Sequence, residues 1–136
     1  MKLESKIGKL GYSDEAVYNF LTDFNNFKNL IPADKVSNWK SDENSCSFSV
    51  NPIGETGIKI IEKDPFKLVK LKSLESDKFN FTFWVQLKML EEKDTRIKLT
   101  LEADLNPMVQ MMAKKPLQEF LDKLIDQLEK YNFNPQ

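Results

Sequence analysis

Histidine is absent from the 136 residues, and cysteine occurs once. Without histidine the chain lacks the commonest protein ligand for zinc, copper and iron, so a structural or catalytic transition-metal site is not expected. A single cysteine excludes an internal disulfide framework. We therefore predict a fold that depends on neither a metal, a cofactor nor a disulfide.

Long apolar runs and charge imbalance are missing as well. No stretch approaches the roughly 20 apolar residues of a membrane-spanning helix, and residues 1–5 lack the apolar core of a signal peptide. The 20 basic and 21 acidic residues give a net charge of −1, and the lysines are spread along the chain. We expect a cytoplasmic protein with no integral membrane segment and no nucleic-acid partner, and leave its oligomeric state open.

Size and composition fit one globular domain spanning residues 1–136. Hydrophobic residues make up 40% of the chain and charged residues 30%, which allows a core large enough to fold alone. There is no internal repeat, low-complexity segment or linker.

The C-terminal stretch from Asn106 to Tyr131 has the pattern of one long helix. Asn106 is a good N-cap, and Pro107 at the first helical position gives up an N–H that would have no partner. From residue 117 onward, apolar residues recur at helical spacing: Leu117, Leu121, Leu124, Leu128 and Tyr131. This half is predicted to bury one face and expose the other.

The first half of this helix is apolar nearly all round, with Met108, Met111 and Met112 close together. Clustered methionines suit either a surface that adapts to variable shapes or the filling of gaps in a core. Pro116 removes a hydrogen-bond donor, so a bend is predicted over residues 112–116.

The N-terminal segment predicts one strand followed by two short helices. Residues 2–9 alternate, with Leu3, Ser5 and Ile7 on one face. Ser13 is a good N-cap for a first amphipathic helix, and Asp23 can cap a brief second one. Phe20 and Leu21 of the first helix are predicted to be core.

Only strand signals follow, separated by clusters of turn residues. The predicted strands are residues 36–40, 45–50, 57–63, 68–74, 79–89 and 96–105. Residues 79–89 alternate most regularly, with phenylalanine at 79, 81 and 83 on one face. Such alternation is typical of an antiparallel sheet covered on one side, and the C-terminal helix is the available cover.

One strand, two helices, six further strands and a long helix, in that order, resemble the helix-grip fold of the START and birch-pollen-allergen superfamily (SRPBCC). Residues 13–32 resemble its helix pair and following loop most closely. That superfamily includes polyketide cyclases, dehydrases and lipid-transfer proteins. The resemblance implies an α+β fold, with a seven-stranded curved antiparallel sheet gripping the helix around a cavity that often accepts an apolar ligand.

If such a cavity exists, the apolar register of the strands and helix should line it. The candidate ligand-binding residues are Phe27, Phe48, Val50, Ile60, Leu71, Phe81, Phe83, Val85, Leu99, Leu101, Met108, Met112 and Leu121. Ile7 and Val69 share this register. The few polar residues that could also point inward are Ser5, Cys46, Ser73 and Glu62.

No residue is assigned a catalytic role. Glu62 is the sole plausible internal carboxylate, and a solvated position at the rim is its alternative. Cys46 has no neighbouring basic residue in the sequence to stabilise a thiolate, which favours an inert buried thiol. Trp39 is ambiguous, and Trp84 lies on the polar register, where it either covers the outer sheet face or marks a contact patch.

Three hypotheses follow. The favoured one is a non-enzymatic binding or transport module for a small hydrophobic molecule, lipid-like or aromatic and polyketide-like, because the predicted interior is apolar. The second is a cyclase-like or dehydrase-like enzyme, which a polar cluster around Glu62 or a tyrosine would favour. The third is a protein-interaction module, which a filled core and an exposed patch around Trp84 would favour.

Overall fold

A computed structural model describes residues 1–30, 36–50, 54–74, 80–131 and 133. Phe79 and the end of the stretch that resembles the superfamily's helix pair and loop, residues 31–32, lie outside the described residues, as does the side chain of Val50.

The described residues form eight strands, two α-helices and one short 3-10 helix. In chain order they are β1 (Lys2–Glu4), β2 (Gly8–Leu10), α1 (Asp14–Leu21), the 3-10 helix (Phe24–Asn29), β3 (Val36–Ser41), β4 (Ser45–Val50), β5 (Gly54–Asp64), β6 (Leu68–Ser73), β7 (Asn80–Glu91), β8 (Asp94–Asp104) and α2 (Pro107–Lys130).

The strands form one curved antiparallel sheet in the order β1-β8-β7-β6-β5-β4-β3, and β2 also pairs with β8. Strands β3 to β8 therefore each pair with the next strand along the chain. α2 lies against the sheet with its apolar stripe buried. The predicted α+β helix-grip architecture is confirmed.

The predicted N-terminal strand is two strands, and its inner face differs from the prediction beyond Ser5. Glu4 pairs with Thr100, whereas Gly8 pairs with Ile97, so three residues on the edge oppose two on β8. Ser5 spans the irregularity: its backbone N–H donates to the Leu99 carbonyl (2.8 Å), and its Oγ accepts from the Leu99 N–H (2.9 Å). Because of the extra residue, the positions after Ser5 that alternation would place inward point outward, and the others point inward.

All three predicted helix caps are present. Ser13 Oγ accepts from the Ala16 N–H at 3.2 Å, and Asp23 Oδ1 accepts from the Asn25 N–H at 2.9 Å. Asn106 Oδ1 accepts from the Val109 N–H at 2.9 Å, with Pro107 in the first turn. Phe20 and Leu21 are buried, as predicted.

Acidic side chains of α2 hold the free edge of the sheet. Asp122 Oδ1 accepts from the Lys6 N–H (2.9 Å), and Glu129 Oε2 accepts from the Lys9 N–H (3.0 Å). The Lys6 ammonium also pairs with Asp126, and this contact raises the pKa of Lys6. These carboxylates partner backbone donors that an edge strand would otherwise leave to water. They fix α2 against β1 and β2.

Close packing at Gly8 brings β2 and α2 together. A Cβ atom at Gly8 would lie 2.8 Å from Ile125 Cγ2 and 2.9 Å from Ile97 Cγ2, both too short for real contacts. Ile125 is completely buried. Glycine at this position therefore sets how closely the helix approaches the sheet.

Aromatic side chains surround Phe133, which follows α2. The Phe133 ring meets the rings of Tyr12, Phe20 and Tyr131 at centroid distances of 5.2, 5.1 and 5.1 Å. Edge-to-face pairs of this kind stabilise beyond the area they bury. Through Phe20, these contacts hold Phe133 against α1.

Candidate ligand-binding site

An apolar cavity of about 110 Å³ lies between the inner face of the sheet and α2. Its wall comes from α1, the 3-10 helix and the residue after it, strands β3 to β8, and α2. The lining residues are Leu21, Phe24, Phe27, Leu30, Trp39, Cys46, Phe48, Thr56, Ile58, Leu71, Phe81, Phe83, Val85, Leu99, Leu101, Ala103, Leu117, Phe120, Leu121, Leu124 and Leu128. No acid or base is among them.

Nine of the candidate residues line this cavity: Phe27, Phe48, Leu71, Phe81, Phe83, Val85, Leu99, Leu101 and Leu121. Eight of the nine are apolar residues of strands or helix at the expected period, and Phe27 comes from the 3-10 helix. Val69 is buried and Ile60 half-buried, but neither reaches the cavity. Their contact with a ligand stays a prediction.

Met108 and Met112 were predicted to line the cavity, and this was wrong. Their exposed fractions are 73% and 60%, and Met111 is exposed too, so these methionines do not fill a core gap. Met112 precedes Leu121 by nine residues, about 2.5 helical turns, which puts the two on opposite faces. Met108 has the same relation to Leu117. α2 is continuous across Pro116. The face that is buried after Pro116 is therefore also the buried face before it, and the methionines lie on the other side.

Ile7 was also predicted to line the cavity, and its side chain is 66% exposed. The irregularity at Ser5 is the cause, because it turns Gly8 and Leu10 inward in place of Ile7. Glu62 is exposed as well. A register shift in β5 between Ile60 and Glu62 pairs Glu62 with Lys70, which lies on the outer face. Glu62 is therefore not an internal carboxylate.

Cys46 and Ser73 point inward, as expected, but neither is a reactive centre. Cys46 is buried, and loss of hydration, followed by the nearby charge of Asp42, raises the pKa of its thiol to about 12. The thiol therefore keeps its proton at neutral pH. Ser73 Oγ accepts from the Phe81 N–H at 3.1 Å, which replaces a ladder hydrogen bond.

Trp39 was not predicted to belong to the cavity wall. The register of β3 against β4 shifts between Ser37 and Lys40, so Asn38 and Trp39 together oppose Phe48. Asn38 has φ 57°, a left-handed conformation that asparagine tolerates better than most residues. With strict alternation, Trp39 would lie on the same face of β3 as Ser37, which is exposed. The bulge turns it inward onto Phe48, with ring centroids 5.6 Å apart and planes 19° from parallel.

Two other aromatic residues lie away from the cavity. Trp84 is half-buried between Lys70 and Thr100 on the outer face, and the Lys70 ammonium lies 5.6 Å from the ring centroid. Tyr18 is buried, with its ring edge-on to Phe66 at 5.5 Å. Burial, followed by the charge of Asp64, raises the pKa of Tyr18.

Within the described ranges, no group of three or more Cys, Asp or Glu side chains is arranged to hold a metal ion. The same part of the chain has no helix that is both long and apolar enough to cross a bilayer.

Comparison with solved structures identifies the fold. A START superfamily protein from Mycobacterium smegmatis matches over 95% of this chain and 97% of its own, with 14% identity and a TM-score of 0.67. The chain has the helix-grip fold of the START superfamily. A conserved protein from Geobacillus kaustophilus matches with a TM-score of 0.72 at 14% identity, over 96% of this chain and 93% of its own.

Norcoclaurine synthase from Thalictrum flavum, solved with dopamine and hydroxybenzaldehyde, is also similar. It matches over 97% of this chain and 88% of its own, with 14% identity and a TM-score of 0.66. No protein-family model and no curated protein sequence matches the chain. At these identities the likeness shows the START-like fold alone.

Proposed function

We propose that this protein binds a small hydrophobic molecule in the cavity between the sheet and α2. The supporting observation is a space of about 110 Å³ between the sheet and α2, whose lining residues, among those that the structure describes, include no charged side chain. Water needs several polar partners to occupy such a space, and an apolar wall offers few. An apolar ligand leaves water and gains packing against the wall there.

The size of the cavity limits the ligand. Drug-sized molecules occupy pockets of roughly 300 Å³ or more, and an engineered cavity of roughly 150 Å³ accepts benzene. At about 110 Å³ the cavity suits a single ring or a short chain, reached by small movements of its wall. A long lipid would need a larger rearrangement. Norcoclaurine synthase, of the same fold, was solved with the single-ring compounds dopamine and hydroxybenzaldehyde, which supports a ring-sized ligand.

The cavity also has an energetic cost that a ligand can offset. Voids in protein cores destabilise by about 24 cal/mol per Å³ in mutational series. A ligand that fills the space should therefore raise the free energy of unfolding measurably.

Toluene and a pair of alanine substitutions test the proposal. Ala103 lines the cavity, whereas Ala113 is buried in α2 away from it. Toluene should raise the thermal midpoint of the wild type. Ala103→Leu should fill the cavity, fold stably and abolish the toluene effect. Ala113→Leu should cost about 1–3 kcal/mol by overpacking and keep the toluene effect.

The result that would contradict the proposal is a wild-type midpoint unchanged by saturating toluene. A toluene effect that survives in Ala103→Leu would place the binding site elsewhere.

The two alternative functions lack the features that would favour them in the described part of the chain. The enzyme alternative called for a polar cluster around Glu62 or a tyrosine, but Glu62 is exposed and Tyr18 packs on Phe66. The interaction-module alternative called for a filled core and an exposed patch around Trp84. The interior contains a cavity, and Trp84 is half-buried.

A further inference from the structure

The first half of α2 carries a second apolar face, on the side away from the sheet. Met108, Met111 and Met112 have exposed fractions of 73%, 85% and 60%. Together with Lys115 they recur at i, i+3, i+4 and i+7, so the four side chains lie on one side of the helix. A surface helix normally presents polar residues there. Three neighbouring apolar side chains in water indicate a surface that a partner covers.

The charge of this half of the helix is as unusual as its outer face. Between Asp104 and Glu119 the only charged residues are Lys114 and Lys115, and both are exposed. Acidic side chains in the first turn would stabilise the positive end of the helix dipole, yet the first turn of α2 has none. Such departures from local preference are expected at functional sites. Lysine beside exposed methionine suits a partner with a negative surface and an apolar interior.

The size of this face favours a membrane over another protein. A stable protein interface uses roughly 20–30 residues and about 800 Å² on each partner. Three methionines and two lysines are far fewer. A membrane needs less, because the apolar side chains of a helix on its surface enter the acyl boundary while lysines attract anionic head groups. Methionine is flexible and unbranched, so it adapts to irregular surroundings such as acyl chains.

We propose that the first half of α2 docks on membranes that contain anionic phospholipid. The helix lies along the surface with Met108, Met111 and Met112 inserted, and Lys114 and Lys115 reach the negative groups of the lipid. The attachment is peripheral and reversible, because three apolar side chains and two cations provide far less than a membrane-spanning helix. It does not depend on what the cavity binds.

Vesicle co-sedimentation tests the inference. Vesicles of phosphatidylcholine alone are compared with vesicles that also contain phosphatidylserine, at low and high salt. Met111→Gln and Met112→Gln, made together, change exposed positions, so the thermal midpoint should stay close to that of the wild type. Met89→Gln is the matched control. Met89 is 44% exposed, but it lies beside the β7–β8 turn, at the opposite end of these strands from the start of α2.

The wild type should bind the phosphatidylserine vesicles at low salt and lose most of this binding at high salt or on phosphatidylcholine alone. The two methionine substitutions should weaken binding by about tenfold or more. Lys114→Gln and Lys115→Gln together should weaken it about 30-fold, roughly fivefold for each lysine. Met89→Gln should bind as the wild type does.

A fluorescent label shows which surface enters the lipid. Met111→Cys and Met89→Cys each introduce an exposed thiol for an environment-sensitive dye, whereas the native Cys46 is buried. Fluorescence of the dye at position 111 should rise and shift to the blue on phosphatidylserine vesicles. The dye at position 89 should not respond.

No binding of the wild type to phosphatidylserine vesicles at millimolar lipid would overturn the inference. Binding that the two methionine substitutions leave unchanged would overturn it as well, because the lipid would then contact another surface. A wild type that is dimeric in solution, and monomeric once Met111 and Met112 are replaced, would overturn it and make this face an interface between two copies.

Discussion

Leu121 and Ile125 lie one helical turn apart in α2, and both have exposed fractions of 0%. Only Leu121 lines the cavity. Ile125 packs against Gly8 and Ile97 on the edge of the sheet. Because leucine and isoleucine have the same number of atoms, alanine substitutions at the two sites remove equal apolar volume from different surroundings.

Truncation of a buried leucine or isoleucine to alanine typically costs about 2–5 kcal/mol, and the cost depends on how tightly the side chain was packed and on the void created. A side chain beside a cavity has no partner atoms on that side, so its removal forfeits less dispersion energy. We expect Ile125→Ala near 4 kcal/mol and Leu121→Ala nearer 2–3 kcal/mol, both as rough values. The difference corresponds to several degrees in the thermal midpoint.

Urea unfolding of both variants, with and without saturating toluene, measures this difference. Toluene should stabilise Leu121→Ala by more than it stabilises the wild type, because the enlarged cavity accommodates the probe with less movement of its wall. Ile125→Ala should respond to toluene as the wild type does. The reasoning would be refuted if Leu121→Ala were the more costly substitution and toluene stabilised both variants equally.

Two further predictions concern packing and ionisation. Gly8→Ala should lower the free energy of unfolding by about 1–3 kcal/mol in urea titrations, because its Cβ would overlap Ile125 and Ile97. Gly11→Ala is the matched control, since nothing lies within 4 Å of its Cβ; a similar loss there would contradict the packing argument. The Cys46 thiol has a pKa of about 12 when folded and an ordinary value of 9.0. Between these values the unfolded thiol is ionised and the folded one is not, so the unfolded state binds fewer protons and stability falls as pH rises. In this pH range the free energy of unfolding of the wild type should fall with pH more steeply than that of Cys46→Ala, by up to roughly 1.4 kcal/mol per pH unit. Equal pH dependence of the two proteins would show that the thiol is not buried.

Much of the fold could be predicted from the sequence because its signals are local. A cap needs only one side chain and a backbone N–H two or three residues away, so Ser13, Asp23 and Asn106 were recognisable as helix starts. The period-two alternation of residues 80–89 likewise predicts a strand with one buried face. These segments together give the order of elements that the helix-grip fold requires.

The inward register of the central strands was predictable for the same reason. Phe81, Val85, Leu99 and Leu101 reach the cavity because β7 and β8 keep an unbroken register from residue 80 to Met89. Where two long strands alternate in phase, each residue's face follows from that of its neighbour.

Tertiary structure decided the positions where alternation fails. Three irregularities matter: the bulge at Trp39, the bulge at Glu62 in β5, and the extra residue after Ser5. They arise from how two strands pair, so the sequence of one strand alone does not reveal them. Each exchanges inside and outside, so Ile7 became exposed and Trp39 entered the cavity wall.

The methionines of α2 illustrate the same limit in a helix. A segment that is apolar all round has no preferred face by itself, so its burial depends on the phase of the adjoining turns. That phase comes from Leu117 and Leu121 packing on the sheet, and it carries through Pro116 to leave Met108 and Met112 exposed. The sequence by itself determined which segments are helix or strand, and the partners across the core determined which side chains face the cavity.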